Sequence, residues 1–315
     1  MRKNLDEFLW TEKYRPSRIE DVVLPKNLKK IFKSFVTDDK VPPNLLLSGR
    51  SGIGKTTVAK ALMDEIGSRP MIINGSLDGN IDTLRNEITA YASSVSFDGK
   101  RKYVIIDEAD YLTPMVQPAL RNFMEEYSSN CGFILTCNYQ NRIIPAIQSR
   151  CTVIDFNFSK SETAALAIEF IDRLKDILAE EKINYDEQAV VALVERSFPD
   201  WRKILNEAQS YSTNGSVDTG VLHGGSVGKF HELLECLREK NFTAARKWVG
   251  ENLDNDQTSL FREFYDSAST HFAKSYIPEL VLLIGKYQFQ AAHGVDNEIN
   301  FSAFLVEVMV GCEWK

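Results

Sequence analysis

Gly49-Arg-Ser-Gly-Ile-Gly-Lys55-Thr56 fits the pattern G-x-x-x-x-G-K-[ST]. Asn44-Leu-Leu-Leu-Ser48 ahead of it reads as a strand, and the pattern after it predicts a helix over Thr57–Ile66. Strand, glycine loop and helix in that order gather backbone N–H groups, and the positive end of a helix, around an anion. The glycines let the chain curl without a Cβ clash. Lys55 can neutralise the β and γ phosphates of a nucleoside triphosphate, and the Thr56 hydroxyl can ligate Mg²⁺.

Outward from this loop, short apolar runs alternate with amphipathic stretches. Further strands are predicted over Pro70–Asn74, Tyr103–Ile106, Gly132–Thr136 and Thr152–Phe156. Helical patterns separate them, at Ile81–Ser94 and at Pro114–Glu125, the latter with Thr113 at its N-cap and Pro114 at its first position. Such alternation predicts an α/β domain built on a mainly parallel sheet. After Phe158 no further strand is predicted. Ser159 and Glu162 make a capping box that opens a helix running to about Glu180. Glu187–Arg196 and Trp201–Tyr211 continue the helical pattern. The expected domains are an α/β domain over 1–158, a small helical domain over 159–214, a Gly/Ser/Thr-rich linker over 215–228 and an all-helical domain over 229–315. In the last of these, Phe301, Phe304, Leu305, Val308, Met309 and Cys312 recur at helical spacing. That face suits either a domain core or a partner interface.

At 315 residues the chain is too long for one compact core. Its net charge of −7 argues against a generally nucleic-acid-binding surface, but the charge is uneven. Residues 1–155 carry 21 Lys/Arg against 19 Asp/Glu, and 156–315 carry 16 against 25, so the loop-bearing half is net +2 and the rest −9. The first half is the one that tolerates a polyanion. Five cysteines without a Cys-x-x-Cys pair, and four scattered histidines, predict reduced thiols and no metal cage. No apolar run approaches the ~18 residues of a membrane span. The N-terminus turns acidic before any apolar stretch, so a cytoplasmic location is expected.

Two more strand ends and two arginines carry chemistry. Tyr103-Val-Ile-Ile-Asp107-Glu108 puts a carboxylate pair at the open edge of the sheet. Asp107 suits a role at Mg²⁺, and Glu108 can polarise an attacking water. Asp107-Glu-Ala-Asp110 also spells the tetrapeptide of a helicase class, but a helical second half leaves no room for the second motor domain those enzymes carry. Gly132-Phe-Ile-Leu-Thr136-Cys-Asn138 ends in polar groups that can sense a γ-phosphate or simply cap the strand. Arg150, before the last strand, is either a surface residue or a finger for a neighbouring subunit's γ-phosphate. Arg202 either opens a solvated helix or reaches back to the nucleotide.

Together these motifs resemble the AAA+ clamp-loader ATPases, over about residues 8–210. Trp10-Thr-Glu-Lys-Tyr14-Arg15-Pro16 resembles the opening of clamp-loader subunits, a segment that lines the adenine pocket in that family. Ser149-Arg150-Cys151 is similar to its serine-arginine-cysteine motif, Asn138 to its first sensor, Arg202 to its second sensor and Glu108 to its catalytic glutamate. Ser96–Lys102, Phe123–Cys131 and the terminal Glu313-Trp-Lys315 resemble most the large subunits of T4-like phage loaders. Arg50 and Ser51 depart from the proline-rich loop usual in cellular replication factor C small subunits.

The resemblance implies a P-loop domain followed by a helical lid and a C-terminal oligomerising collar. It implies ATP and Mg²⁺ as cofactors, with Tyr14, Arg15, Gly49, Gly52, Ile53, Gly54, Lys55, Thr56, Thr57 and Arg202 at the nucleotide, and Thr56 and Asp107 at the metal. Glu108, Asn138 and Arg150 are the implied catalytic group. The implied partners are further copies of the chain, four in all, with a different small subunit, a ring-shaped sliding clamp and primer–template DNA, and no membrane. Asn80, Ile81 and Arg85 are candidates to hold DNA phosphates. Gln117 and Arg121, on the next helix, are candidates to couple that surface to Glu108. The competing reading is an assembly scaffold that binds ATP without productive turnover; Glu108 and Arg150 favour the motor.

Overall fold

The protein is described from a computed structural model, which covers residues 8–38, 40–76, 81–94, 100–213, 215–217, 226–252, 257–291, 293 and 296–315. The chain divides into two compact units, Met1–Val221 and Leu222–Lys315.

The first unit is built on five parallel strands: β1 (Asn44–Ser48), β2 (Met71–Asn74), β3 (Lys102–Asp107), β4 (Cys131–Cys137) and β5 (Thr152–Asp155), in the order β2-β3-β4-β1-β5. Period-two alternation splits their side chains between two cores. Leu45, Leu47, Ile105 and Ile134 face Leu28, Phe32, Val58, Leu62 and Phe156 on one side. Leu46, Val104, Ile106, Phe133 and Leu135 face Ile88, Val116, Leu120 and Phe123 on the other. Both faces are covered, so β1 and β4 read as continuous apolar runs, as strands of a doubly covered parallel sheet must. Helices α1 (Trp10–Lys13), α2 (Lys26–Thr37), α3 (Lys55–Glu65), α4 (Ile81–Ser93), α5 (Val116–Glu126) and α6 (Pro145–Gln148) connect or flank the strands.

The start of α5 differs from the sequence expectation. Thr113 and Pro114 do not cap it; the Thr113 carbonyl accepts from both Val116 N (3.0 Å) and Gln117 N (3.2 Å), a tight turn wound before the α-helical ladder begins at Val116.

The helical part of this unit follows as α7 (Lys160–Glu180), α8 (Glu187–Ser197) and α9 (Trp201–Ser212). The Ser159–Glu162 capping box opens α7: Ser159 N donates to Glu162 Oε2 at 2.9 Å, and Glu162 N to Ser159 Oγ at 3.4 Å. Strands do not stop at Phe158. β6 (Asn184–Tyr185) and β7 (Ser216–Val217) pair in parallel, and Val217, inside the stretch read as a linker, is fully buried in the same core as Leu174, Leu193 and Ile204. Trp10 joins that core, and its backbone N–H donates to Gln209 Oε1 at 3.1 Å, so the N-terminal segment ties this region to the sheet domain.

The second unit contains α10 (Ser226–Arg238), α11 (Phe242–Asn252), α12 (Gln257–His271), α13 (Ile277–Ala291) and α14 (Asn297–Gly311). Phe301, Phe304, Leu305, Val308 and Met309 are buried against Phe261 and Phe264, with Cys312 half-buried beside them. That face of α14 is therefore core. Its solvent side carries Ile299, Val306 and Val310. Among the described residues no helix is long and apolar enough to cross a membrane.

Candidate nucleotide-binding site

Because β3, β4 and β1 are neighbours, their C-terminal ends meet at one edge of the sheet, the position where open α/β sheets bind ligands. The glycine loop leaves β1 there and turns into α3, with Gly52 (φ 73°) and Gly54 (φ 101°) in the left-handed region that favours glycine. Gly52 also has no room for a side chain, since a Cβ would stand 1.9 Å from Asp200 Oδ1. Asp200 caps α9 through Lys203 N (2.9 Å), and Trp201 N donates to Gly52 O at 3.1 Å. The start of α9 thus rests directly on the loop.

Lys55 is buried, and its ammonium uses its three donors on Gly49 O (2.7 Å), Arg50 O (2.8 Å) and Asn138 Oδ1 (2.9 Å). Burial lowers its pKa, with the carboxylates of Asp107 and Asp110 among the charges pulling the other way. Thr56 Oγ1 and Thr136 Oγ1 both donate to Asp107 Oδ1, each at 2.6 Å. Thr136 Oγ1 in turn accepts from Glu108 N at 3.0 Å. Glu108 itself has φ 55°, a left-handed backbone that costs a glutamate about 1 kcal/mol. It is held there by that bond, by Tyr111 N donating to Glu108 O (3.0 Å), and by Gly75, where a Cβ would come within 2.6 Å of Glu108 O. Asp110 is buried, and its Oδ2 accepts Asn138 N (3.2 Å) and Tyr139 N (3.1 Å). The fourth letter of the helicase-like tetrapeptide therefore holds the Asn138 turn.

One cleft is lined by Tyr14 and Arg15, by Gly52 to Thr57, by Asp107 and Glu108, by Asn138 and by Arg202. The candidates divide around it. Gly49 lies behind the loop: its carbonyl holds Lys55 and its N–H donates to Cys137 O (3.2 Å), but it does not line the cleft. Arg150 lies away from the cleft. Its Nε donates to Glu125 Oε1 (2.9 Å), Nη2 bonds the same oxygen, and Nη1 donates to Ala146 O (2.7 Å). Asn80 is outside the described residues; Ile81 opens α4, and Arg85 is exposed on it.

Neither Gln117 nor Arg121 has Glu108 as its hydrogen-bond partner. Gln117 is buried and staples two loops, donating to Leu112 O (3.1 Å) and Arg142 O (2.9 Å) and accepting from Ile144 N (2.8 Å). Arg121 pairs with Glu125, at 3.3 Å from each carboxylate oxygen.

Sequence reasoning missed Arg173, Phe170 and Trp201. Arg173 lines the cleft and binds Tyr14 O (2.9 Å) and Asp21 O (2.8 Å), fixing the N-terminal segment. Phe170 stacks on Trp201 with ring centroids 4.4 Å apart, an apolar wall on the α7–α9 side. Mid-helix positions in an amphipathic pattern carry no signal of this kind; Trp201, next to Arg202 at a helix start, was the one that could have been found.

The donor set fits a nucleoside triphosphate with Mg²⁺. The loop is a cradle in which side chains are excluded, a buried ammonium is held on carbonyls, and a hydroxyl and a carboxylate already face each other as ligands would.

Residues 45–160 match the family model described as "ATPase family associated with various cellular activities (AAA)". Residues 162–223 match that of the "Sliding-clamp-loader large subunit, AAA+ ATPase lid domain". The chain is 34% identical to the sliding-clamp-loader large subunit of Enterobacteria phage T4, over 99% of each chain. It is 33% identical to the replication factor C small subunit of Sulfurisphaera tokodaii, over 97% of this chain and 96% of that one. Among solved structures, a Thermotoga maritima RuvB variant matches with TM-score 0.54 and 15% identity, over 81% of this chain and 87% of that one, a likeness of fold. With near-complete coverage at that identity, and a lid model matched beside the ATPase model, this chain belongs to the sliding-clamp-loader family of AAA+ ATPases.

Proposed function

We propose that this chain is the ATP-driven motor subunit of a loader that opens a ring-shaped sliding clamp and sets it on primer–template DNA, with hydrolysis completed across subunit interfaces. The observation that carries the reading is the convergence of Lys55, Thr56, Asp107, Glu108 and Asn138 on one cleft whose glycine loop also seats α9. Phosphate oxygens would take the Lys55 donors now on Gly49 O and Arg50 O, while Asn138 keeps its bond and so senses the occupant. Mg²⁺ between Thr56 and Asp107 would screen phosphate charge and polarise the γ-phosphoryl group. Glu108 would take the proton of the attacking water, its strained turn fixing the carboxylate over the cleft. Tyr14, Arg15, Ile53 and Thr57 would border the nucleoside, and Arg202 would bring the lid down on the phosphates.

Arg150 would act in trans, on the nucleotide of a neighbouring copy. Its distance from its own cleft supports that division, and so does the family's multi-subunit character. Four copies with one smaller, different subunit would form the ring, in the cytoplasm of the host cell. ATP would favour the spiral that grips clamp and DNA only by binding it better than the relaxed state. DNA would be held through phosphates near Asn80, Ile81 and Arg85, without base readout.

The test is the ATPase rate of the assembled complex with and without primed DNA and clamp. Stimulation by both together is expected. A rate indifferent to both would sink the loader reading, and a native mass other than four large subunits with one small would overturn the stoichiometry.

A further inference from the structure

Arg150, proposed above to serve a neighbour's nucleotide, is not a free arm in its own chain. A guanidinium has five N–H donors. Three of Arg150's are engaged: Nε and one on Nη2 with Glu125 Oε1, and one on Nη1 with Ala146 O at 2.7 Å. A further Nη1 contact, to Ser149 Oγ, is long at 3.4 Å. What remains is one N–H on Nη2 and, beyond the long Ser149 contact, one on Nη1, donors of the kind that grip phosphate oxygens. Glu125 projects from the last turn of α5, and Ala146 from α6, so two separate helices fix the guanidinium plane. A free arginine side chain would have to give up about 2 kcal/mol of rotamer entropy on reaching its target.

We propose that Glu125 is the positioning residue of the trans-acting arginine: it holds the side edge of the Arg150 guanidinium so that its end edge is presented, pre-ordered, to the γ-phosphate of the neighbouring subunit. This rests on the finger reading of Arg150. Arg121, 3.3 Å from both Glu125 oxygens, keeps the carboxylate ionised and facing Arg150. Arg150 likewise holds the Glu125 carboxyl below the usual range. The pair lies at the surface, with side chains 32% and 45% exposed, so its removal leaves the core intact.

The experiment is a four-variant cycle in the assembled loader: wild type, Glu125→Gln, Arg150→Ala and the double variant, each measured for ATPase kcat and KM with primed DNA and clamp, for ATP affinity, and for Tm. Glu125→Gln keeps size and an acceptor but loses the charge that orients the guanidinium. The expected result is a kcat lower by about tenfold, with ATP affinity and Tm unchanged. In the Arg150→Ala background the same change should do nothing further, because the group it positions is gone. A merely structural role would instead move Tm and persist without Arg150. If Arg150→Ala abolishes turnover and Glu125→Gln leaves kcat at wild type, the positioning role is wrong while the finger stands. If Glu125→Gln raises kcat, Glu125 restrains the finger rather than aiming it, and the proposal is overturned. If Arg150→Ala itself leaves kcat unchanged, the finger reading fails, and this one with it.

Discussion

The cleft and the Arg150 corner lie on the same sheet domain, yet they are assembled in different ways. In the cleft, Asp107 ends β3, Glu108 and Asn138 follow β3 and β4, and Lys55 opens α3 after the β1 loop, so the order of three adjacent strands brings them together. The Arg150 corner is made by α5 and α6, and its charged groups meet each other and not the cleft. In the first region the candidate groups line one cleft within the chain. In the other, Arg150 is bonded to Glu125 and Ala146 and does not line that cleft. A motif can therefore be equally plain in sequence in both places and still carry different weight: on the reading proposed above, the first would name a site and the second half of one.

The largest way to break this comparison is Arg150→Ala. If the two regions form one site only between subunits, hydrolysis in the assembled loader should fall by about 10³-fold with ATP affinity nearly unchanged. Loss of ATP binding in the isolated chain would mean that the two regions are not separable. Lys55→Ala tests the other side. It should abolish the stabilisation that ATP gives the isolated chain, about 2.7 kcal/mol at a hundredfold excess over Kd, read as a vanished Tm shift. Glu108→Gln should retain ATP binding while turnover drops by about 10²-fold, since proton removal is lost but the left-handed turn and its Thr136 bond remain. Rapid turnover by that variant would assign the water to another group. Gly52→Ala is subtler, because its Cβ must displace Asp200. It should unseat α9 from the loop, weakening ATP binding about tenfold with little change in the stability of the sheet domain. Binding at wild-type strength would show that the lid contact is incidental.

What could be read in advance followed from how local each signal is. The capping box at Ser159 and Glu162 lies within one turn, so sequence carries all of it. The period-two strands and the glycine loop were legible for the same reason. The start of α5 was misjudged because Thr113 and Pro114 have the right propensities, and only the Thr113 carbonyl, bonded twice, reveals the tighter turn. The burial of Gln117 was not legible because its partners Leu112, Arg142 and Ile144 sit in two loops that close only when β3 and β4 pair. Arg173 and Glu125 were invisible as functional groups: each is one charge among many on a helix, and its meaning comes from a partner 159 or 25 residues away.

The smallest expected effect separates the two regions by pH. Burial lowers the Lys55 pKa, whereas the Arg150 bonds lower that of Glu125, so the cleft is the region sensitive on the basic side and the corner on the acidic side. For a lysine with a depressed folded-state value, the unfolded chain binds more protons between the two pKa values, so this group makes apo stability rise with pH through that window. Bound triphosphate reverses the sense, since its charge favours the protonated lysine. ATP binding should then take up a fraction of a proton from the medium in the window between the depressed apo value and the ordinary lysine value. Calorimetry in buffers of different ionisation enthalpy reads this directly on the isolated chain, where no second subunit contributes. Glu125→Gln should leave that uptake unaltered. A change in it would mean that the corner and the cleft are electrostatically one site even before assembly, and the division between them would have to be redrawn.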